Sequence, residues 1–158
     1  MRTWAPRGQT PVLKAKLSRD HLSIIGGITA SGLLTTRILP RAFKGPDVVR
    51  FLQQLLQRIP GKIIVIWDGG TIHRSKVVKK FLSDGAAARL HLEQLPSYAP
   101  DLNAIELLWA YLKNVLLPNR DFGRLGRLWD ELTAAFAKLR KRPELIQSFI
   151  RHVAPDLV

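Results

Sequence analysis

The chain of 158 residues has no cysteine, a single methionine and only twelve acidic side chains. Without cysteine there can be no disulfide, no thiolate-held zinc and no cysteine nucleophile, so any chemistry falls to carboxylates, histidines and hydroxyls. Long apolar runs are also missing. The longest, Ile63-Ile64-Val65-Ile66-Trp67, falls far short of the roughly 18 residues that span a bilayer. The amino terminus Met1-Arg2-Thr3-Trp4-Ala5-Pro6-Arg7 is basic but leads into no apolar stretch, which argues against a secretory signal and for a cytoplasmic protein. No internal repeat, heptad array or low-complexity linker is present, and the length fits one compact domain.

Basic residues are what the chain has in excess. Lys and Arg number 25, leaving a net charge of +13, with a pI near 10.9. Residues 1–60 hold ten basic and two acidic side chains, residues 61–110 six and five, and residues 111–158 nine and five. An excess this large in a small domain suits a polyanionic partner, and nucleic acid leads that class. Basic flanks around a near-neutral centre fit a surface that grips phosphates while presenting a few carboxylates.

The apolar pattern predicts an α/β layer fold. Leu22 to Thr29 and Leu33 to Leu39 read as two strands joined by a hairpin at Ser31-Gly32. Val48, Val49, Leu52, Leu55, Leu56 and Ile59 recur at helical spacing before Pro60-Gly61. The run Ile63 to Trp67 predicts a central strand buried on both faces and ending at Asp68. A short helix carrying Val77, Val78, Phe81 and Leu82 has Arg74, Lys76, Lys79 and Lys80 on its other side. A strand at 90–95 and a helix on Ile105, Leu108, Trp109 and Leu112 follow, then two helices over 128–139 and 143–153. That order implies a mixed sheet flanked by helices.

Two acids stand out. Asp68 lies between a strand and Gly69-Gly70, where open α/β sheets bind ligands, so it suits a metal; it equally suits the cap of the following turn near Thr71. Glu106 falls three residues after Asn103, which suits a capping box, and equally a carboxylate aimed at neighbouring strand ends. His73 is either structural or close to a metal or phosphate path. His21, His91 and His152 have no metal-ligand spacing. Trp109 reads as core, and the lysines as a solvated face or as phosphate contacts.

The segment Ser97-Tyr98-Ala99-Pro100-Asp101-Leu102-Asn103-Ala104-Ile105-Glu106, continuing through Trp109 to Lys113, closely resembles the signature around the last catalytic acid of DDE-superfamily transposases of the mariner and bacterial insertion-sequence type. Ile64-Val65-Ile66-Trp67-Asp68-Gly69-Gly70-Thr71-Ile72-His73-Arg74-Ser75 resembles the stretch around that family's second acid. Residues 2–12, from Arg2 to Val12, resemble the basic segment that follows the first. Ala104 stands where the family commonly has Pro, and Gly69 where it commonly has Asn.

The resemblance covers about residues 2–118. It implies a ribonuclease H-like, retroviral-integrase-like mixed sheet, lacking its first strand and first acid. It assigns residues 1–120 to the catalytic domain and residues 121–158 to a helical extension packed on it. Catalysis and metal binding would fall to Asp68 and Glu106, with Mg²⁺ or Mn²⁺, two ions in a complete site, about 3.5–4 Å apart. Arg7, His73, Arg74, Lys76, Lys79, Lys80, Lys113 and Arg120 would contact DNA.

The implied reaction is DNA strand cleavage and strand transfer at transposon ends, active once an upstream reading-frame product completes the site. A bacterial, nucleoid-associated location and a homodimer are further expectations. The rival is an inert DNA-binding remnant, and a related metal-dependent nuclease is less favoured by the motif.

Overall fold

The computed structural model describes residues 21–96, 99–118 and 124–157. The segment 2–12 with Arg7, the motif residues Ser97 and Tyr98, and Arg120 lie outside the described residues.

Strand β1 (Ser23–Ile28) pairs antiparallel with β2 (Leu34–Leu39), in register from Ser23 opposite Leu39 to Ile28 opposite Leu34. Helix α1 (Gly45–Arg58) follows, burying Val48, Phe51, Leu52 and Leu55, the i, i+3, i+4, i+7 stripe of an amphipathic helix. Its first turn is held by Asp47, 1% exposed. The carboxylate accepts hydrogen bonds from Arg41 at 2.7 and 3.0 Å and from the Lys44 backbone N–H at 3.0 Å. These partners hold the Asp47 carboxyl far below the usual carboxylate range, the Arg41 hydrogen bonds contributing most.

Strand β3 (Ile63–Trp67) and strand β4 (Leu90–Gln94) run parallel, with Trp67 opposite Gln94 at their carboxyl ends. Helix α2 (Lys76–Ser83) crosses between them. Helix α3 (Ala104–Tyr111) widens into a π-helical stretch over Leu112–Leu116. Helices α4 (Leu125–Arg140) and α5 (Pro143–Val153) complete the described fold.

Two apolar clusters result. One joins Leu34 of β2 and Leu108 of α3 to Leu132, Phe136 and Leu139 of α4 and Ile146 of α5. The other joins α1 to Ile63, Val78 and Leu90. Close approach shapes the first: a Cβ on Gly26 of β1 would lie 2.8 Å from Cη2 of Trp109 and 3.0 Å from Cδ1 of Ile105. Trp109 also meets Phe136 edge-on, with centroids 6.3 Å apart at 78°, so it serves the core as its helical spacing predicts.

Two expectations are corrected. The four described strands form two separate two-stranded sheets, β1-β2 and β3-β4, in place of one mixed sheet. Strand β3 is not buried on both faces: Ile63 is 8% exposed, but Ile64 is 68% and Ile66 53% exposed. The alternating pleat explains this. Helices α1 and α2 cover the side of Ile63 and Val65, and among the described residues nothing covers the other.

Candidate metal and nucleic-acid site

Asp68 follows the last residue of β3, where the chain leaves the sheet. Its side chain is 66% exposed. Oδ1 accepts a hydrogen bond from the Gly70 backbone N–H at 3.1 Å and lies 3.0 Å from Nε2 of His73. The Gly70 bond closes a short Asp turn of the kind this residue type favours, in place of the expected cap near Thr71. Among the described residues no partner engages Oδ2.

His73 sits in a 3₁₀ turn over Thr71–Arg74. Its ring stacks on Trp67 at 4.2 Å, with 29° between the planes, and its side chain is 13% exposed. Burial holds the imidazole below its ordinary value, against the upward pull of the Asp68 carboxylate. Among the described residues no hydrogen-bond partner meets the buried Nδ1. Thus His73, expected to contact DNA, has its Nε2 turned to Asp68 here.

Glu106 lies in the first turn of α3. Asn103 is the N-cap, yet its side chain makes no capping bond. The Glu106 backbone N–H bonds to the Asn103 carbonyl at 2.9 Å, and among the described residues no hydrogen bond or ion pair engages the Glu106 carboxylate. The capping box that the spacing allowed is therefore not formed. The acid is exposed. Its helix follows β4, whose end lies beside Trp67: the Leu95 N–H bonds to the Trp67 carbonyl at 2.8 Å.

The basic candidates divide by partner. Arg74 donates to the Gly69 carbonyl at 3.3 Å. Lys80 pairs with Asp84 at 3.0 Å. Lys76 and Lys79 on α2 and Lys113 beyond α3 are exposed. Among the described residues no hydrogen bond or ion pair engages their side chains.

Two features escape motif reading. One is Trp67, whose place before Asp68 gives His73 a stacking surface; an aromatic at a strand end with a histidine one turn beyond the acid is the signal that marks it. The other is Gln94, whose Nε2 lies 2.8 Å from where a Cβ on Gly69 would stand, so its amide fills the space beside the turn. Oxygen donors such as Asp68 and Glu106 suit hard divalent cations. Among the described residues no group of three or more His, Cys, Asp or Glu side chains could hold a metal ion, and no helix is long and apolar enough to cross a membrane.

Known proteins share this fold. A search of curated proteins finds no match. Among solved structures, the Mos1 strand transfer complex is similar with a TM-score of 0.64 and 19% identity, covering 100% of this chain and 50% of that one. The Mos1 mariner paired end complex with Mn gives 0.64 and 17%, covering 99% and 51%. The Mos1 transposase paired-end complex with left transposon end gives 0.56 and 18%, covering 99% and 50%. The chain thus spans about half the length of these structures and shares their fold. The family model described as DDE superfamily endonuclease matches residues 1–129, and the chain belongs to that family.

Proposed function

We propose that the chain is the ribonuclease H-like catalytic part of a transposase of the mariner and bacterial insertion-sequence type. It supplies two metal-binding carboxylates, Asp68 and Glu106, for DNA strand cleavage and transfer at transposon ends. What carries this reading is that both acids stand at family-signature positions, exposed, and neither is consumed by the fold: Asp68 keeps Oδ2 open and Glu106 has no capping bond.

The donor set fits Mg²⁺ or Mn²⁺ in chemistry but is short in number. Two ions, when bound, would activate the attacking oxygen and stabilise the leaving one in an in-line displacement. Asp68 would offer Oδ2 and Glu106 its carboxylate. The exposed Lys76 and Lys79 would hold phosphates of duplex DNA, and the self-complementary surface of a homodimer would hold two ends.

A third acid, on a strand supplied from upstream, would complete the site. Helix α1 touches both sheets, through Gly27 against Phe51 and through Ile63. One more strand between β1 and β3 would join them. An upstream reading-frame product is the source we assign to it.

The 158-residue chain should bind duplex DNA with an affinity that falls steeply with salt, since each neutralised phosphate releases counterions. It should cleave little. Fusing a segment that bears a strand and an Asp before Met1 should restore Mg²⁺-dependent cleavage, abolished by Asp68→Ala or Glu106→Ala. Strong cleavage by the unfused chain, lost in either variant, would overturn the shortage of ligands. The second reading, an inert DNA-binding remnant, draws on the lack of a three-residue metal cluster among the described residues; DNA binding with no cleavage after fusion would select it.

A further inference from the structure

We propose that His73 is a positioning residue for Asp68: as the Nε2–H tautomer it holds Oδ1 and thereby presents Oδ2 to a divalent cation. The inference rests on the assignment of Asp68 as a metal ligand and adds the device that aims it.

An exposed aspartate at a strand end ordinarily samples several rotamers, and ordering it costs conformational entropy each time a ligand binds. Here two nitrogens converge on one oxygen: the Gly70 N–H donates at 3.1 Å, and His73 Nε2 lies 3.0 Å away. A carboxylate accepts, so Nε2 must carry the hydrogen whenever the ring is neutral, and Nδ1 is left with its lone pair. Among the described residues the buried Nδ1 indeed meets no partner. A neutral ring in the other tautomer would bury an unpaired N–H and set a lone pair against the carboxylate.

The ring is itself fixed. Stacking on Trp67 at 4.2 Å sets its plane, and Gly70 leaves it room, since a Cβ there would lie 2.9 Å from His73 Cδ2 and 3.1 Å from Asp68 Oδ1. Strand β3 therefore ends on the stacking platform, the acid follows at the next position, and the next turn brings the ring back to it. Hydrogen-bond partners that orient a ligating side chain typically change metal affinity or activity by about 10–100-fold when removed.

The experiment separates donation from packing in the full 158-residue chain. Mn²⁺ binding is titrated by electron paramagnetic resonance for wild type, Asp68→Ala, His73→Phe and His73→Gln, with circular dichroism confirming folding. Phenylalanine can stack on Trp67 but cannot donate; glutamine can donate but stacks poorly. The expected result is a loss of about 10–100-fold in Mn²⁺ affinity for His73→Phe and recovery of most of it in His73→Gln. Wild-type affinity in His73→Phe, or equal loss in both variants, would overturn the positioning role. Long-range ¹H–¹⁵N correlation gives an independent readout without metal: the Nε2–H tautomer is expected, and Nδ1–H would refute the inference. If Asp68→Ala leaves Mn²⁺ binding unchanged, Asp68 is not a ligand and the functional assignment fails, a result distinct from either His73 outcome.

Discussion

Replacing Gly26 by alanine should disturb the candidate site through the packing of α3. The added Cβ would meet Trp109 Cη2 at 2.8 Å and Ile105 Cδ1 at 3.0 Å, against carbon contacts that are optimal near 3.5–4.0 Å. About 0.7 Å of relief is required at the nearer atom. Trp109 has little freedom to turn away, because its ring packs on Phe136, which is 1% exposed. The remaining route is to part β1 from α3, moving Ile105 and with it the adjacent Glu106.

Overpacking of this kind costs about 1–3 kcal/mol. The substitution also removes glycine freedom from the unfolded chain, a gain of about 0.4–1 kcal/mol where the backbone conformation is compatible. Gly26 does not have a positive φ, so the gain applies, and the net expectation is a loss of about 1–2 kcal/mol. Gly27 is the internal control. It faces Phe51, whose Cζ would lie 3.4 Å from an added Cβ, an ordinary contact, so Gly27→Ala should be neutral or stabilising by up to about 1 kcal/mol. Urea denaturation of both variants measures the difference, and the Mn²⁺ titration reports on Glu106. In the fused, cleaving protein, a displacement near 1 Å can reduce activity by about 100-fold. A Gly26→Ala protein within about 0.5 kcal/mol of wild type, or one no worse than Gly27→Ala, would refute the argument.

Other consequences can be checked separately. Asp47→Ala should destabilise the chain by about 2–4 kcal/mol, because it removes the acceptor for Arg41 and for the Lys44 N–H at the start of α1; thermal or urea melts decide, and a loss below about 0.5 kcal/mol would contradict it. The Asp47 carboxyl is depressed in the folded state, so its contribution is fully present above the unfolded value near 3.9 and is lost as pH falls toward the folded one. Asp47→Asn should flatten that acid limb of the stability profile. Lys76→Gln with Lys79→Gln should weaken duplex DNA binding and reduce the slope of log affinity against log salt by about 0.9 per lost phosphate contact; an unchanged slope would remove α2 from the interface. Ile64→Thr with Ile66→Thr should change the stability of the chain by less than about 0.5 kcal/mol, since both side chains are exposed, while sedimentation shows less self-association through the open apolar face.

Local rules carried the element pattern. The β1-β2 hairpin, the α1 stripe ended by Pro60-Gly61, the β3-α2-β4 unit and the three later helices all follow from periodicity and turn residues, whose physics acts over a few neighbours. The family was legible for a different reason: the motif around Asp68 and Glu106 is specific enough to name it, although each acid alone suited a cap as well as a ligand. Only tertiary structure could test the caps, because hydrogen bonding depends on where a carboxylate is finally aimed. It left Glu106 uncapped and tied one Asp68 oxygen to His73. Burial of β3 was misjudged because an apolar run records what a strand can pack against, whereas its exposure depends on which elements reach each face. The stacking of Trp67 on His73 and the approach of Gly26 to Trp109 likewise arise between residues whose contact is set by the three-dimensional path of the chain, so neither could be read from local pattern.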